Sequence, residues 1–199
     1  MTIKAQATLR TARLELAPMG HEHRKFTMQL DMDPEVMKMV AFGRPFTEDE
    51  VIQVHTWLMG CATSVPGFGA WAGFAKGDMG SEYHRSFGGK EGGREMVRYA
   101  FEELGLTEVI GETMTFNKAS QAVMAGCGLN HVETFFNKYD TPPPGIEEGE
   151  VRYSISRQEW LRKERSSITR SRWFSVLTSW PPRLLLSSLW SFFFKGPRS

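Results

Sequence analysis

A glycine-rich turn that leads directly into an amphipathic helix is the feature that most constrains how this chain can fold. Residues 85–106 read RSFGGKEGGREMVRYAFEELGL. Apolar residues recur at helical spacing after the glycines and predict a helix from Glu91 to Leu104, and Gly105 is the residue type that commonly ends a helix. Because a helix with an apolar face must bury it against a sheet or other helices, we expect this segment to lie at the centre of the domain.

Strand and helix patterns alternate on both sides of this helix. Short alternating or β-rich segments predict strands at residues 10–19, 67–75, 107–114, 131–136 and 149–155. Helical patterns lie around Phe26, after Asp33, from Thr47 to Leu58, from Asn117 to Ala125 and from Gln158 onward, with capping residues at Asp33 and at the Thr47–Glu50 box. This order predicts an α/β (α+β) fold in which helices flank both faces of a mixed sheet.

Charge and cysteine content exclude several classes of protein. The net charge of +1 argues against a nucleic-acid-binding domain, which normally carries a clear basic excess. Two cysteines make neither a disulfide framework nor a zinc pattern, and the N-terminal residues contain no apolar signal core. A reducing, cytoplasmic location is therefore expected.

The C-terminal segment, residues 164–199, differs in composition from the predicted domain at residues 8–163. From Leu161 onward, eight Lys or Arg residues face one acidic residue, and aromatic residues alternate with Arg and Ser. This composition is compatible with an anchor lying in a membrane interface. A tail that packs on the domain, or one that is not part of the ancestral domain, is the favoured interpretation, and the apolar run from Leu184 is too short to cross a bilayer.

The glycine-rich turn also predicts a phosphate-binding site. The first N–H groups of a helix are unpaired and aligned, so they attract anions, and glycines let the backbone approach phosphate oxygens closely. The residues that fit this description are Arg85, Gly88, Gly89, Lys90 and Gly92. The turn matches neither a P-loop nor a dinucleotide-binding fingerprint, and glycines before a helix also occur in turns that bind nothing.

The segment after the helix narrows the ligand. A strand is followed by TFNKAS, a helix and GCGL, and the earlier segments RTARLELAPM, DMDPEVMKMV and FTEDEV precede RYAFEELGL. In this order the motifs resemble the GNAT superfamily of acetyl-CoA-dependent N-acetyltransferases, in the branch that includes ribosomal-protein N-terminal acetyltransferases. The resemblance covers residues 8–163 and excludes the tail.

This resemblance implies a mostly antiparallel sheet flanked by helices and acetyl-CoA as the cosubstrate. The coenzyme pyrophosphate would lie at the turn formed by Arg85, Gly88, Gly89, Lys90 and Gly92. Asn117 and Ser120 match the family pattern N-x-x-S and would contact the coenzyme or order the site, although Asn117 could equally be a plain N-cap. The implied acceptor is a primary amine of a small molecule or a protein N-terminus.

The sequence departs from the family pattern in three places. Lys90 stands where a small residue is expected, Met124 stands where many members have a tyrosine acid, and only residues 78–84 remain for the central strand, which is therefore truncated. The candidate general bases are Glu112, Glu82 and His84, each of which could instead be a solvated surface residue, so the catalytic residues are unassigned. The His21 and His23 pair has no evident third ligand, so no metal site is expected.

These departures leave a second interpretation open. A GNAT-fold pseudoenzyme would keep the scaffold and act, if at all, as a binding or membrane-peripheral protein. The first interpretation is an N-acetyltransferase.

Overall fold

The computed structural model describes residues 5–37, 43–64, 66–76, 88–139, 142 and 145–171. The strands are β1 (Leu9–Arg10), β2 (Leu14–Pro18), β3 (Trp71–Ala75), β4 (Glu108–Met114), β5 (Asn130–Phe135) and β6 (Glu150–Ser156). The helices are α1 (Arg24–Asp31), α2 (Pro34–Met37), α3 (Glu48–Ser64), α4 (Gly88–Glu102), α5 (Lys118–Gly126) and α6 (Arg157–Ser171). Among the helices described, none is long and apolar enough to cross a membrane.

The described strands form two antiparallel sheets of three strands each. The first has the order β1-β2-β3, with Leu16 opposite Gly73, and the second has the order β4-β6-β5, with Glu112 opposite Arg152. This confirms the predicted α/β fold with mostly antiparallel strands and flanking helices. The single continuous sheet that we expected is not seen in the described ranges, where β3 and β4 do not pair. The expected short central strand, residues 78–84, lies outside them.

Helix α4 packs on both sheets. Its Tyr99 lies in a cluster with the buried leucines of β1 and β2, and its ring meets the Trp71 ring of β3 edge-on at 5.7 Å. Phe101 lies two residues, about half a turn, further along and so points to the other side of α4, where it packs in a second cluster with residues of β4, α5, β6 and α6. The helix predicted to be central is therefore the element that holds the two sheets together.

Helix α1 packs on the opposite face of the first sheet, and α3 packs on α1. The Phe26 ring of α1 meets the Phe74 ring of β3 edge-on at 5.5 Å, and α3 packs mainly against α1. Both caps predicted here are confirmed: the N–H of Glu50 donates to the Thr47 hydroxyl at 3.3 Å, and the N–H of Glu35 donates to the Asp33 carboxylate at 2.8 Å.

Several boundaries differ from the prediction. Helix α4 begins at Gly88, three residues before the expected start, so the glycines form its first turns. Strand β3 begins only at Trp71, because Gly67 and Gly69 have φ angles of 81° and 151°, outside the strand region. Helix α6 runs to Ser171 and so continues past the predicted domain boundary at residue 163. Strand β1 was not predicted, since two residues are too few to give a pattern.

Candidate functional site

The first turn of α4 presents a group of free backbone donors. Gly88, Gly89 and Lys90 occupy this turn, and the N–H groups of a first turn have no partner within their own helix. Arg85, the first residue of the predicted phosphate-binding turn, lies outside the described residues. A helix N-terminus is therefore present at this turn, as predicted, but it begins at Gly88, so the glycines belong to the helix itself.

Two glycines lie at the contact between α4 and α5. A Cβ atom on Gly89 would lie 3.0 Å from Cγ2 of Val123, and a Cβ atom on Gly126 would lie 2.8 Å from Cδ of Lys90. Separations this short do not fit a side chain without a shift of the neighbour. The start of α4 therefore lies against the last turns of α5 at glycine distance.

Gly92 has a different position from its predicted partners. It lies in the second turn of α4, where the N–H group bonds within the helix. A Cβ atom on Gly92 would lie 3.7 Å from Leu16 and 3.8 Å from Leu14 of β2, which is ordinary contact distance, so packing on the first sheet does not require a glycine there. Because its N–H is used within the helix, Gly92 is not among the donors of the first turn, and a contact between Gly92 and a phosphate stays a prediction.

Lys90 extends its side chain along α5. Its stem covers Gly126, its ammonium is exposed, and within the described part of the chain this ammonium has no hydrogen bond or ion pair. One turn later, Nε of Arg94 donates to the carbonyl of Gly126 at 2.8 Å. Two cations thus lie where α4 crosses the C-terminal end of α5, and one of them is available to a ligand.

The buried thiol of Cys127 also joins α4 to α5. Its Sγ donates to the carbonyl of Lys90 at 3.7 Å. Burial raises the pKa of this thiol to about 11, against the smaller opposite effect of the Arg94 and Lys90 cations. The thiol is therefore protonated at neutral pH and acts as a packing group with a weak hydrogen bond.

Asn117 is the N-cap of α5. Its Oδ1 accepts a hydrogen bond from the N–H of Ser120 at 3.0 Å, and the residue is 3% exposed. The N-cap interpretation is thus confirmed, while a contact between Asn117 or Ser120 and a coenzyme stays a prediction. At 1.5 Å per residue, the N-cap Asn117 lies about 9 Å before the Val123 contact between α5 and α4. Its N-terminal turn therefore projects beyond the start of α4.

Glu91 fixes the start of α4 to the first sheet. One carboxylate oxygen accepts hydrogen bonds from the Thr11 hydroxyl at 2.5 Å and from the Arg13 N–H at 3.0 Å, and the other accepts from Nε of Arg13 at 2.7 Å. Sequence reasoning missed this contact because the partners lie 78 and 80 residues apart in the chain, with no motif to join them. The bonds of Glu91 to Thr11 and Arg13 hold the first turn of α4, and with it the backbone N–H donors of the candidate site, in place.

We expect Glu91→Gln to lower the free energy of unfolding at pH 7 by about 1–3 kcal/mol, the usual range for hydrogen bonds to a charged group. Burial alone raises the pKa of Glu91, but the bonds from Thr11 and Arg13 outweigh it and lower the pKa below its ordinary value. The stabilisation is therefore complete above the ordinary pKa of 4.5 and is lost as the pH falls through the lower folded value. Urea unfolding at several pH values measures this.

The control is Glu147→Gln, which removes an exposed carboxylate with no such partners. We expect it to unfold like the wild type throughout. A Glu91→Gln variant whose difference from the wild type stays constant down to pH 3 would contradict the assignment.

Among the residues that it describes, the structure does not bring the three candidate general bases together in one site. Glu112 lies in β4, and one of its oxygens accepts from Nε of Arg152 in β6 at 2.7 Å. Arg152 also pairs with Glu133 in β5, which makes a three-strand row of charges that only the strand register reveals. Glu82 and His84 lie outside the described residues.

Met124, which stands where the family resemblance would place a tyrosine acid, lies in the core. Its side chain is buried in the cluster that packs under α4 and carries no proton to donate. None of the described residues is thereby placed as the general acid. Within the same ranges, no group of three or more His, Cys, Asp or Glu side chains is arranged to hold a metal ion.

Comparison with known proteins shows the family to which the chain belongs. Residues 78–130 match the family model described as Acetyltransferase (GNAT) domain. Over its whole length, the chain is 68% identical to FsC-acetyl coenzyme A-N(2)-transacetylase from Aspergillus fumigatus, of which it covers 97%. That alignment spans 227 positions, 28 more than the 199 residues of the chain, so the relative has residues at about 28 positions that this chain lacks.

Solved structures agree on the fold. An acetyltransferase (GNAT family) from Bacillus anthracis superposes with a TM-score of 0.59 at 18% identity, covering 76% of this chain and 99% of its own. A ribosomal L7/L12 alpha-N-protein acetyltransferase, solved in complex with coenzyme A, superposes with a TM-score of 0.51 at 14% identity, covering 75% of this chain and 98% of its own. At these identities the likeness concerns the fold alone.

Proposed function

The chain belongs to the GNAT family of acetyl-CoA-dependent N-acetyltransferases, and from this premise we propose how its own residues hold the donor and which acceptor it takes. The coenzyme pyrophosphate lies at the first turn of α4, against the N–H groups of Gly88, Gly89 and Lys90. The Lys90 ammonium contacts a phosphate. The N-terminal turn of α5, with Asn117 and Ser120, lies beside the remainder of the coenzyme.

The observation that carries this proposal is the pairing of free donors with an available cation. A helix N-terminus favours anions through its aligned N–H groups and its dipole. Lys90 adds a full positive charge within the same turn, and its ammonium has no partner among the described residues. Arg85 stays a predicted contact, since it lies outside them.

The chemistry that the site must support is direct transfer. The lone pair of a primary amine attacks the thioester carbonyl, a C–N bond forms, the C–S bond breaks and the thiolate of coenzyme A leaves with a proton. Because an ammonium is not a nucleophile, the acceptor must lose its proton before attack. The residues named above position the donor for this reaction, and no described residue is proposed as the base.

The acceptor named for the 68% identical relative is the first to test. That name gives N(2) of FsC as the acceptor nitrogen. The second is a ribosomal-protein N-terminus, as named for the neighbour that is 14% identical. We rank them in this order because acceptor specificity is far better retained at the higher identity.

The pseudoenzyme interpretation is not favoured, because a relative this similar over the whole chain carries the name of an active transferase. The roughly 28 missing positions are the reason to measure activity directly. A cytoplasmic location and a membrane contact through the tail, residues 164–199, also stay predictions, and sedimentation with vesicles, with and without residues 166–199, tests the second.

Calorimetric titration with coenzyme A tests the donor site. We expect saturable binding to the wild type and about 5- to 30-fold weaker binding to Lys90→Met, the loss of about 1–2 kcal/mol for an exposed charge-assisted contact. Lys138→Met is the matched control, since Lys138 is exposed on the segment after β5. Absence of binding at millimolar coenzyme A, or an equal effect of both substitutions, would overturn the proposal.

Mass spectrometry of acceptor amines after incubation with acetyl-CoA tests the reaction. We expect a gain of one acetyl group on FsC and none when coenzyme A replaces acetyl-CoA. Coenzyme binding without acetylation of FsC, of ribosomal-protein N-terminal peptides or of simple amines would restore the pseudoenzyme interpretation.

A further inference from the structure

An incompletely bonded histidine lies in the interface between α1 and α3. His55 of α3 is 1% exposed, and its Nδ1 lies 3.2 Å from the hydroxyl of Thr27 in α1. Its other ring nitrogen, Nε2, is buried and has no hydrogen-bond partner. The neutral ring can satisfy Thr27 in either tautomer, but a protonated ring would place a charged N–H at Nε2, where no group lies in hydrogen-bond geometry.

The surroundings of His55 oppose a positive charge. Burial lowers the pKa of the imidazole, the nearby backbone of Gly20 acts in the opposite direction, and electrostatic interactions with His21, Arg24 and His23 lower the pKa further, so that it lies below its ordinary value. The His21 ring lies closest, with 6.4 Å between ring centroids. The groups that act on His55 from the turn before α1 and from α1 itself thus include no carboxylate.

We propose that His55 is a proton-dependent latch between α1 and α3. Helix α3 stays packed while the imidazole is neutral and separates from α1 when the imidazole takes up a proton. Helix α1 is the element on which α3 mainly packs, so this one interface controls whether α3 stays attached. The folded interface is fully stabilised above the ordinary histidine pKa of 6.5, and stability is lost as the pH falls below it.

Asp31 in the same interface works in the opposite direction. It lies one turn beyond Thr27 on α1, is 8% exposed, and burial raises its pKa to about 6. Because its folded pKa lies above the ordinary value of 3.8, its contribution is complete when protonated at low pH and is lost as the pH rises through about 6. Lowering the pH therefore removes the free-energy cost of burying the charged Asp31 carboxylate, and it adds the free-energy cost of burying a charged His55 imidazole.

Hydrogen exchange of the full chain, corrected for intrinsic rates, at about pH 7.5 and pH 5.5 tests the latch, since a histidine changes charge in this range. We expect the protection of residues 48–64 in the wild type to fall about two- to threefold at the lower pH, while residues 88–102 keep theirs. One histidine can lower this protection by at most about tenfold between these pH values, and protonation of Asp31 offsets part of that loss. In His55→Gln this fall disappears, because glutamine can bond Thr27 but cannot be protonated. In Asp31→Asn the fall is larger, because the opposing effect is gone.

His131→Gln is the matched control, since His131 is an exposed histidine on β5, and it should behave like the wild type. Protection of α3 that does not change with pH in the wild type, or that falls equally in His55→Gln, would overturn the proposal. If His55→Gln does not fold, His55→Leu takes its place. If neither folds, NMR titration of the wild-type imidazoles decides, because the latch requires one ring to titrate below 6.5 together with the opening of α3.

Discussion

Replacing Phe101 by alanine is expected to lower the free energy of unfolding by about 3–5 kcal/mol, the usual cost of removing a fully buried aromatic side chain. The Phe101 ring is 0% exposed and lies 5.4 Å from the Trp160 ring of α6. It belongs to the cluster where α4 meets the second sheet, so the cavity would open between elements that are far apart in sequence. Urea unfolding followed by circular dichroism measures the loss.

The control for Phe101 is Leu161→Ala on α6. Leu161 is 39% exposed, so its truncation should cost well under half as much. A loss below about 1 kcal/mol for Phe101→Ala would mean that the cluster collapses to fill the space, contrary to the packing described.

Gly89→Ala is expected to weaken coenzyme A binding at least tenfold and to lower the free energy of unfolding by about 1–2 kcal/mol, within the range for overpacking. The added Cβ would meet Cγ2 of Val123 at 3.0 Å, and a valine on a helix cannot rotate away easily because its χ1 angle is nearly fixed. The first turn of α4 must therefore shift away from α5, which moves the donors that we propose for the pyrophosphate.

The double variant Gly89→Ala/Val123→Ala separates two reasons for the glycine. If packing against α5 requires it, removing the valine methyls restores coenzyme binding to the level of Val123→Ala alone, which is the result we expect. If the glycine is instead required by close approach of the phosphate, the double variant binds as weakly as Gly89→Ala. Calorimetry on the four proteins gives the coupling directly.

Much of the local structure was predictable from local chemistry. The caps at Asp33, Thr47 and Asn117 follow from side chains that bond backbone within three residues, and the amphipathic pattern of α4 follows from its own periodicity. The family followed from motif order. The caps and the helix pattern involve residues that are close together in the sequence, so the residue types alone are enough to predict them.

The start of α4 and the Glu91 contact were not predictable in this way. Glycine has a poor helix propensity, so Gly88 and Gly89 indicated a turn, whereas they are the first two residues of α4, and Gly89 packs closely on Val123. Glu91 binds Thr11 and Arg13 across the fold, and such pairings leave no local signal. The general base is unassigned for a related reason. A base is identified by its distance from the reacting amine, and such a distance depends on tertiary contacts that leave no local sequence pattern.

Because α4 packs on both sheets, strand pairing between β3 and β4 is not what keeps the two halves of the core together. A chain with this arrangement can gain or lose residues between β3 and α4 while the two apolar clusters stay intact. The length of that connection is therefore free to vary during evolution at little cost in stability. Stability alone therefore does not report on the reaction, and the activity of a chain with a shortened connection has to be measured separately from its folding.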